Sequence, residues 1–207
     1  ESALSRAQSR SEERSLASSD FTGLHNDAYF RSFLEREVRS RTKDGGDFSI
    51  IFLSVDNLAL LNNKFGKKTG DEVLIHLTYL LGNFLSSEAD CSGFLLFKAE
   101  GPWFALFMPE TGLEPGADVA DRIRVAVAQS SVFLTHVTVS AGVVAFDEFR
   151  NTSGSAEAVA ATIHDAGMMK GRIAQKKGAG SIYYKVDESD FSPLENFVLV
   201  ADPDTMN

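Results

Sequence analysis

Cysteine is almost missing from this chain: Cys91 stands alone among 207 residues. No internal disulfide can form, nothing points to an oxidising compartment, and Cys91 reads as an ordinary structural thiol. Long apolar runs are missing too. No window approaches the ~18–20 uninterrupted apolar residues that cross a bilayer, and the Ser- and Arg-rich N-terminus lacks the apolar core of a signal peptide. The expectation is a soluble, cytoplasmic chain without membrane insertion. The third absence is an excess of positive charge. Twenty Lys and Arg face 29 Asp and Glu, a net charge of −9, whereas a general nucleic-acid binder presents a basic face to phosphate. Nucleic acid is therefore not expected as a partner.

What is present belongs to an ordinary globular protein, with 43% hydrophobic and 24% charged residues and a length that fits one domain plus flanking segments. The charge is unevenly spread. Every titratable carboxylate or base from Asp187 onward is acidic, whereas Lys170, Arg172, Lys176, Lys177 and Lys185 lie in a stretch without acids. That basic stretch reads as a local anion site or as a solvated helix face.

Residues 1–19 read as a linker or a thin N-terminal helix. Asn26 or Asp27 caps a helix carrying Phe30, Phe33, Leu34 and Val38, which Gly45 and Gly46 end. Phe48 to Val55 is nearly all apolar, as in a strand covered on both faces. A second helix is expected from about Gly70, with Val73, Leu74, Leu77, Leu81 and Phe84 on one face. Gly93–Phe97 and Trp103–Met108 flank a polar turn and read as a hairpin. A helix over 115–128, a strand over 137–145, a helix over 155–175 and a short strand Ile182–Tyr184 complete the pattern. Helices alternating with strands around one hairpin indicate an α/β sandwich.

Several segments, in order and at matching spacing, resemble the GGDEF (diguanylate cyclase) family over residues 20–185. Phe21-Thr22-Gly23-Leu24-His25-Asn26 resembles the family's opening Leu-Thr-Gly-Leu-x-Asn. Asn62 to Gly66, Gly70 and Asp71 resemble the block after the first strand, and Val137 to Val143 resembles the family's Val-Thr-x-Ser-x-Gly-Val strand. The signature Gly-Gly-Asp-Glu-Phe then falls on Glu100-Gly101-Pro102-Trp103-Phe104, of which only Gly101 and Phe104 match. The resemblance implies an α/β (α+β) fold with a central mixed, mainly antiparallel sheet of about five strands and a β-hairpin at the signature.

The resemblance also implies a chemistry. Family members join two GTP molecules, one held by each of two protomers, and such phosphoryl transfer relies on divalent cations held by carboxylates. Here the metal-binding Asp of the first strand is Ser54, two residues before a retained Asp56. The signature acids are Pro102 and Trp103, the residue before Gly101 is the acidic Glu100, and a Phe-Lys pair becomes Leu58-Ala59. No catalytic residue and no metal ligand is expected to survive, so no cofactor is expected. Trp103, by strand alternation, is expected opposite Phe104, on an exposed active face or packed into the hairpin. Asn62 and Asp71 match the family's guanine-recognising pair. Read without the resemblance, Asn62 sits in a turn and Asp71 caps a helix. Arg172 and Lys176 match, approximately, the cations that contact phosphates, or they form a solvated helix end. The Arg-x-x-Asp product-inhibition motif would fall on Cys91–Phe94 and is absent.

After Lys185 the chain becomes acidic. Residues 186–207 read as an extension, and Asn196 to Asp204 resembles the first strand of a receiver domain, as if the chain were part of a longer signalling protein. The expected function is a noncatalytic regulatory module that works through a protein partner or homodimer, with a guanine nucleotide as its ligand. The alternatives are a cyclase whose metal ligands, and with them Mg²⁺, have moved to Asp56, Glu100 or Glu110, and an interaction scaffold with no ligand.

Overall fold

Phe48–Val55 has no polar face, and the rest of the chain is arranged to cover it. The computed structural model describes residues 21–133 and 136–185. The expectations for residues 1–19 and 186–207 lie outside the described residues. All eight residues of β1 (Phe48–Val55) are buried. β3 (Trp103–Pro109) and β4 (Val139–Ala145) flank it, both antiparallel. β2 (Leu95–Lys98) pairs antiparallel with β3, and β5 (Ile182–Tyr183) runs parallel to β4. The order is β2-β3-β1-β4-β5, so the sheet is mixed, five-stranded and mainly antiparallel.

Alternation along β1 divides the core in two. Ile51, Leu53 and Val55 share one face with Phe104, Leu106, Val139 and Val143. Two helices, α3 (Lys67–Ser87) and α4 (Leu113–Gln129), cover that face with Leu77, Leu81, Ile123 and Val127. Phe48, Ile50 and Phe52 share the other face with Trp103, Ala105 and Phe107. There α1 (Asp27–Asp44) and α5 (Ala156–Lys177) contribute Phe30, Leu34, Val38, Val159 and Ile163. Each large side chain so buried is worth about 1.5–3 kcal/mol over its exposed state. Two side-chain caps fix where these outer helices begin: Asn26 Oδ1 accepts from Tyr29 N at 3.0 Å, and Ser155 Oγ accepts from Ala158 N at 3.2 Å.

Between β1 and α3 the structure differs from the expectation. A short helix, α2 (Leu58–Phe65), follows β1, and α3 starts at Lys67 rather than near Gly70. Gly66 separates the two at φ +90°, a left-handed conformation that glycine adopts without steric cost. Asn62 therefore lies inside a helix, not in a turn, and Asp71 is the fifth residue of α3, not its cap. α2 went unforeseen because it buries no residue fully: Leu58 and Leu61 touch the core, whereas Leu60 and Phe65 remain exposed.

Candidate functional site

The site is built where β1 ends. Ser54 is opposite Trp103 on one side and Ser140 on the other, so the bend that precedes Trp103 is at the level of Ser54 and Asp56. The sequence expectation required this adjacency. A cleft of about 290 Å³ opens there, lined by Ser54–Ala59 from β1 and α2, Pro102 from the bend, and Gln175 and Ala179 from the end of α5.

Each residue of the bend has a defined place. Glu100 and Gly101 are exposed, and Pro102 is half-buried at the cleft wall. Trp103 N donates to Glu100 O at 3.2 Å, and Ala99 N donates to Trp103 O at 2.9 Å. Trp103 and Phe104 point to opposite faces of the sheet, as alternation requires. Neither is exposed: Trp103 is 6% accessible and Phe104 is fully buried. Of the two places expected for the indole, the packed one is observed and the open active face is not. The reason is Gly171 of α5, whose missing side chain leaves room for the indole; a β-carbon there would lie 2.5 Å from Trp103 Cζ3.

Lys98 is the functional-site residue that sequence reasoning missed. It is 6% accessible, and its ammonium donates to Ala99 O at 3.0 Å, to Trp103 O at 3.1 Å and to Gly101 O. Its charge also lies 5.3 Å from the Phe104 ring centroid. A buried ammonium is costly unless every donor is satisfied. Here the carbonyls of the bend satisfy it, and in return it fixes the bend's shape. The signal in the sequence was a lysine at the edge of a hairpin turn, a place that ordinarily means exposure.

The carboxylate that remains is already occupied. Asp56 Oδ2 accepts from Thr138 Oγ1 and from Gly180 N, both at 2.7 Å, and so ties the end of β1 to the loops before β4 and β5. Ser54 is fully buried, and its hydroxyl donates to Val55 O at 3.4 Å. Glu110 is at the opposite end of β3, on the order of 20 Å from the bend, where it pairs with Arg41. Glu110 and Asp56 therefore do not converge. A magnesium ion prefers six oxygens in near-octahedral array, usually including one or two carboxylates. The side chains of the lining offer one carboxylate, Asp56, with one oxygen engaged, the neutral hydroxyl of Ser54 and the neutral amides of Asn57 and Gln175, a set with a single charged ligand that matches the ion poorly. Among the described residues no group of three or more His, Cys, Asp or Glu is placed to hold a metal.

Two other pairs of sequence-chosen residues are brought to this region. Leu58 lines the cleft, and Asn62 lies one helical turn further along the same face of α2. The Asn62 side chain packs on Gly70, where a β-carbon would meet its Oδ1 at 1.8 Å, and Asp71 is the next residue. Asn62 Oδ1 is buried without a hydrogen-bond partner, an arrangement that costs about 1–3 kcal/mol. On α5, Arg172, Gln175 and Lys176 fall on one face at spacings of three and four. Gln175 lines the cleft, and Arg172 and Lys176, its neighbours on α5, are exposed and outside the lining.

The fold is shared with the solved coiled coil and GGDEF domain of DgcB from Caulobacter crescentus, a structure in complex with c-di-GMP. That match has a TM-score of 0.69 and 18% identity and covers 88% of this chain and 92% of the other. The family model described as "Diguanylate cyclase, GGDEF domain" matches residues 18–169, and the chain belongs to that family. Diguanylate cyclase DgcP of Pseudomonas aeruginosa is 34% identical over 130 residues, which are 61% of this chain and 19% of DgcP. Response regulator PleD of Caulobacter vibrioides is 33% identical over 131 residues, 60% of this chain and 28% of PleD. The chain thus spans less than a third of the length of either relative.

Proposed function

We propose that this chain is a catalytically silent GGDEF domain that acts as a regulatory module through a protein partner or a second copy, and that its cleft holds a guanine nucleotide weakly. One observation carries the reading: the bend beside Ser54 presents Pro102 and Trp103, and the nearest carboxylate of the cleft, Asp56, is committed to Thr138 and Gly180. Joining two nucleoside triphosphates requires charge neutralisation at the attacked phosphate and at the leaving group. With Asp56 as the single carboxylate of the lining, one of its oxygens engaged, too little is left to seat the metal ions, and that stabilisation is lost while the fold and its surfaces persist. Asn62 and Asp71 supply the amide and carboxylate that suit a guanine edge, and Arg172 and Lys176 supply charge for phosphates.

Incubation with GTP and Mg²⁺ or Mn²⁺ is expected to yield no cyclic dinucleotide; steady, protein-dependent product formation would overturn the silent reading. Calorimetric titration with GTP or GDP is expected to give heat that disappears in an Asn62→Ala, Asp71→Ala double variant. A ligand-free scaffold gives neither heat nor thermal stabilisation with any of these nucleotides.

A further inference from the structure

We infer that the cleft takes its nucleotide free of divalent cation, so that Mg²⁺ opposes binding instead of promoting it; this rests on the nucleotide reading above. Around the cleft, positive charge comes from the protein itself. Arg172 and Lys176 lie three residues before and one residue after the lining Gln175 on α5, exposed and with no salt-bridge or hydrogen-bond partner among the described residues. No acid follows Asp165 until Asp187. Against these two cations the lining contains one carboxylate, Asp56, whose Oδ2 already accepts two hydrogen bonds. Glu100, two residues before the lining Pro102, is exposed and, like Arg172 and Lys176, lies outside the lining, so it adds one negative charge on the bend side, across from the α5 cations. The backbone oxygens of Ala99, Gly101 and Trp103 in the bend are turned onto the Lys98 ammonium.

Charge and size then act in the same direction. A nucleoside triphosphate carries about four negative charges near neutral pH and its magnesium chelate about two, so the chelate is attracted less to Arg172 and Lys176. Magnesium gives up its water reluctantly and usually keeps several molecules. A hydrated chelate must therefore enter a cleft of about 290 Å³ whose side-chain oxygens are neutral apart from those of Asp56. The free nucleotide brings its full charge to Arg172 and Lys176 and carries no metal-bound water.

Trp103 is the chain's single tryptophan and adjoins Pro102 in the cleft wall, so its emission, with calorimetry as the second readout, reports occupancy. The full chain is titrated with GTP in a chelator and, at matched ionic strength, in excess MgCl₂. The expected result is a Kd about three- to tenfold weaker in magnesium, the scale set by losing two charges opposite two partly screened cations. An Arg172→Gln, Lys176→Gln double variant should bind more weakly and show little difference between the two media, with its nucleotide-free melting temperature unchanged. Equal affinity in both media, or tighter binding in magnesium, overturns the inference and leaves the nucleotide reading standing. Binding in neither medium overturns both.

Discussion

The indole of Trp103 rests on the α-carbon of Gly171, near enough that even a methyl group at residue 171 would collide with the ring. This contact locks the signature bend to α5 and fills the region between them with hydrocarbon. Gly171→Val is expected to destabilise the fold by about 1–3 kcal/mol through overpacking. Urea unfolding measures the loss, and a red shift in tryptophan emission should show the indole displaced towards water.

Truncating the other member of the pair should cost more. Trp103→Ala removes a buried aromatic side chain from the core that includes Phe52 and Phe97, for an expected loss of about 3–5 kcal/mol. Leu60→Ala provides the contrast. Leu60 is 66% exposed, so its change should remain within about 0.5 kcal/mol. If both variants unfold at the wild-type urea midpoint, the packing described for Trp103 is wrong.

Lys98→Met should lower stability by about 1–3 kcal/mol, because the inward-turned carbonyls of the bend lose their donor. Lys68→Met is the matched surface control, since the Lys68 side chain is 92% exposed and its contact with Glu72 is 4.0 Å long. Equal stabilities for these two variants would show that the ammonium does not hold the bend.

Asp27 makes acid stability depend on the α1–α5 contact. Its carboxylate lies 3.1 Å from His164 Nε2 and 2.7 Å from Arg31 Nε. Burial by itself raises the Asp27 pKa, but the hydrogen bonds from His164 and Arg31 outweigh it and hold the group below its ordinary 3.8. A folded-state value below the unfolded one means that protons bind the unfolded chain more readily. The stabilisation is therefore complete above the unfolded pKa and is lost as pH falls through the folded one. Asp27→Asn should be less stable than wild type near neutrality, and its stability should fall less steeply with acidification below about pH 4. Parallel acid limbs for the two proteins would contradict this.

The sequence revealed those parts of the fold whose cause is local. Phe48–Val55 reads as a covered strand because its eight residues are short for a helix, rich in Ile, Phe and Val, and have no polar face. Asn26, one of the two caps expected for the first helix, announced it by side-chain chemistry. α2 was hidden because eight residues give little over two turns of periodicity, and its apolar residues divide between the core and solvent. That error carried over to Asn62 and Asp71, whose surroundings depend on the break at Gly66. Trp103 and Lys98 were obscure for a different reason. The indole is buried by a glycine far along the chain, and the lysine by carbonyls whose direction depends on the bend itself. The hairpin's place beside Ser54, by contrast, followed from matching whole segments in order, and the strand register bears it out.

The ammonium beneath the bend has one more consequence. A cation tethered by its own side chain cannot be dialysed away, stripped by a chelator or diluted out. The loop it organises therefore keeps its oxygens facing inward in any buffer that leaves the sheet folded, and a solute ion cannot recruit them without first evicting part of the protein.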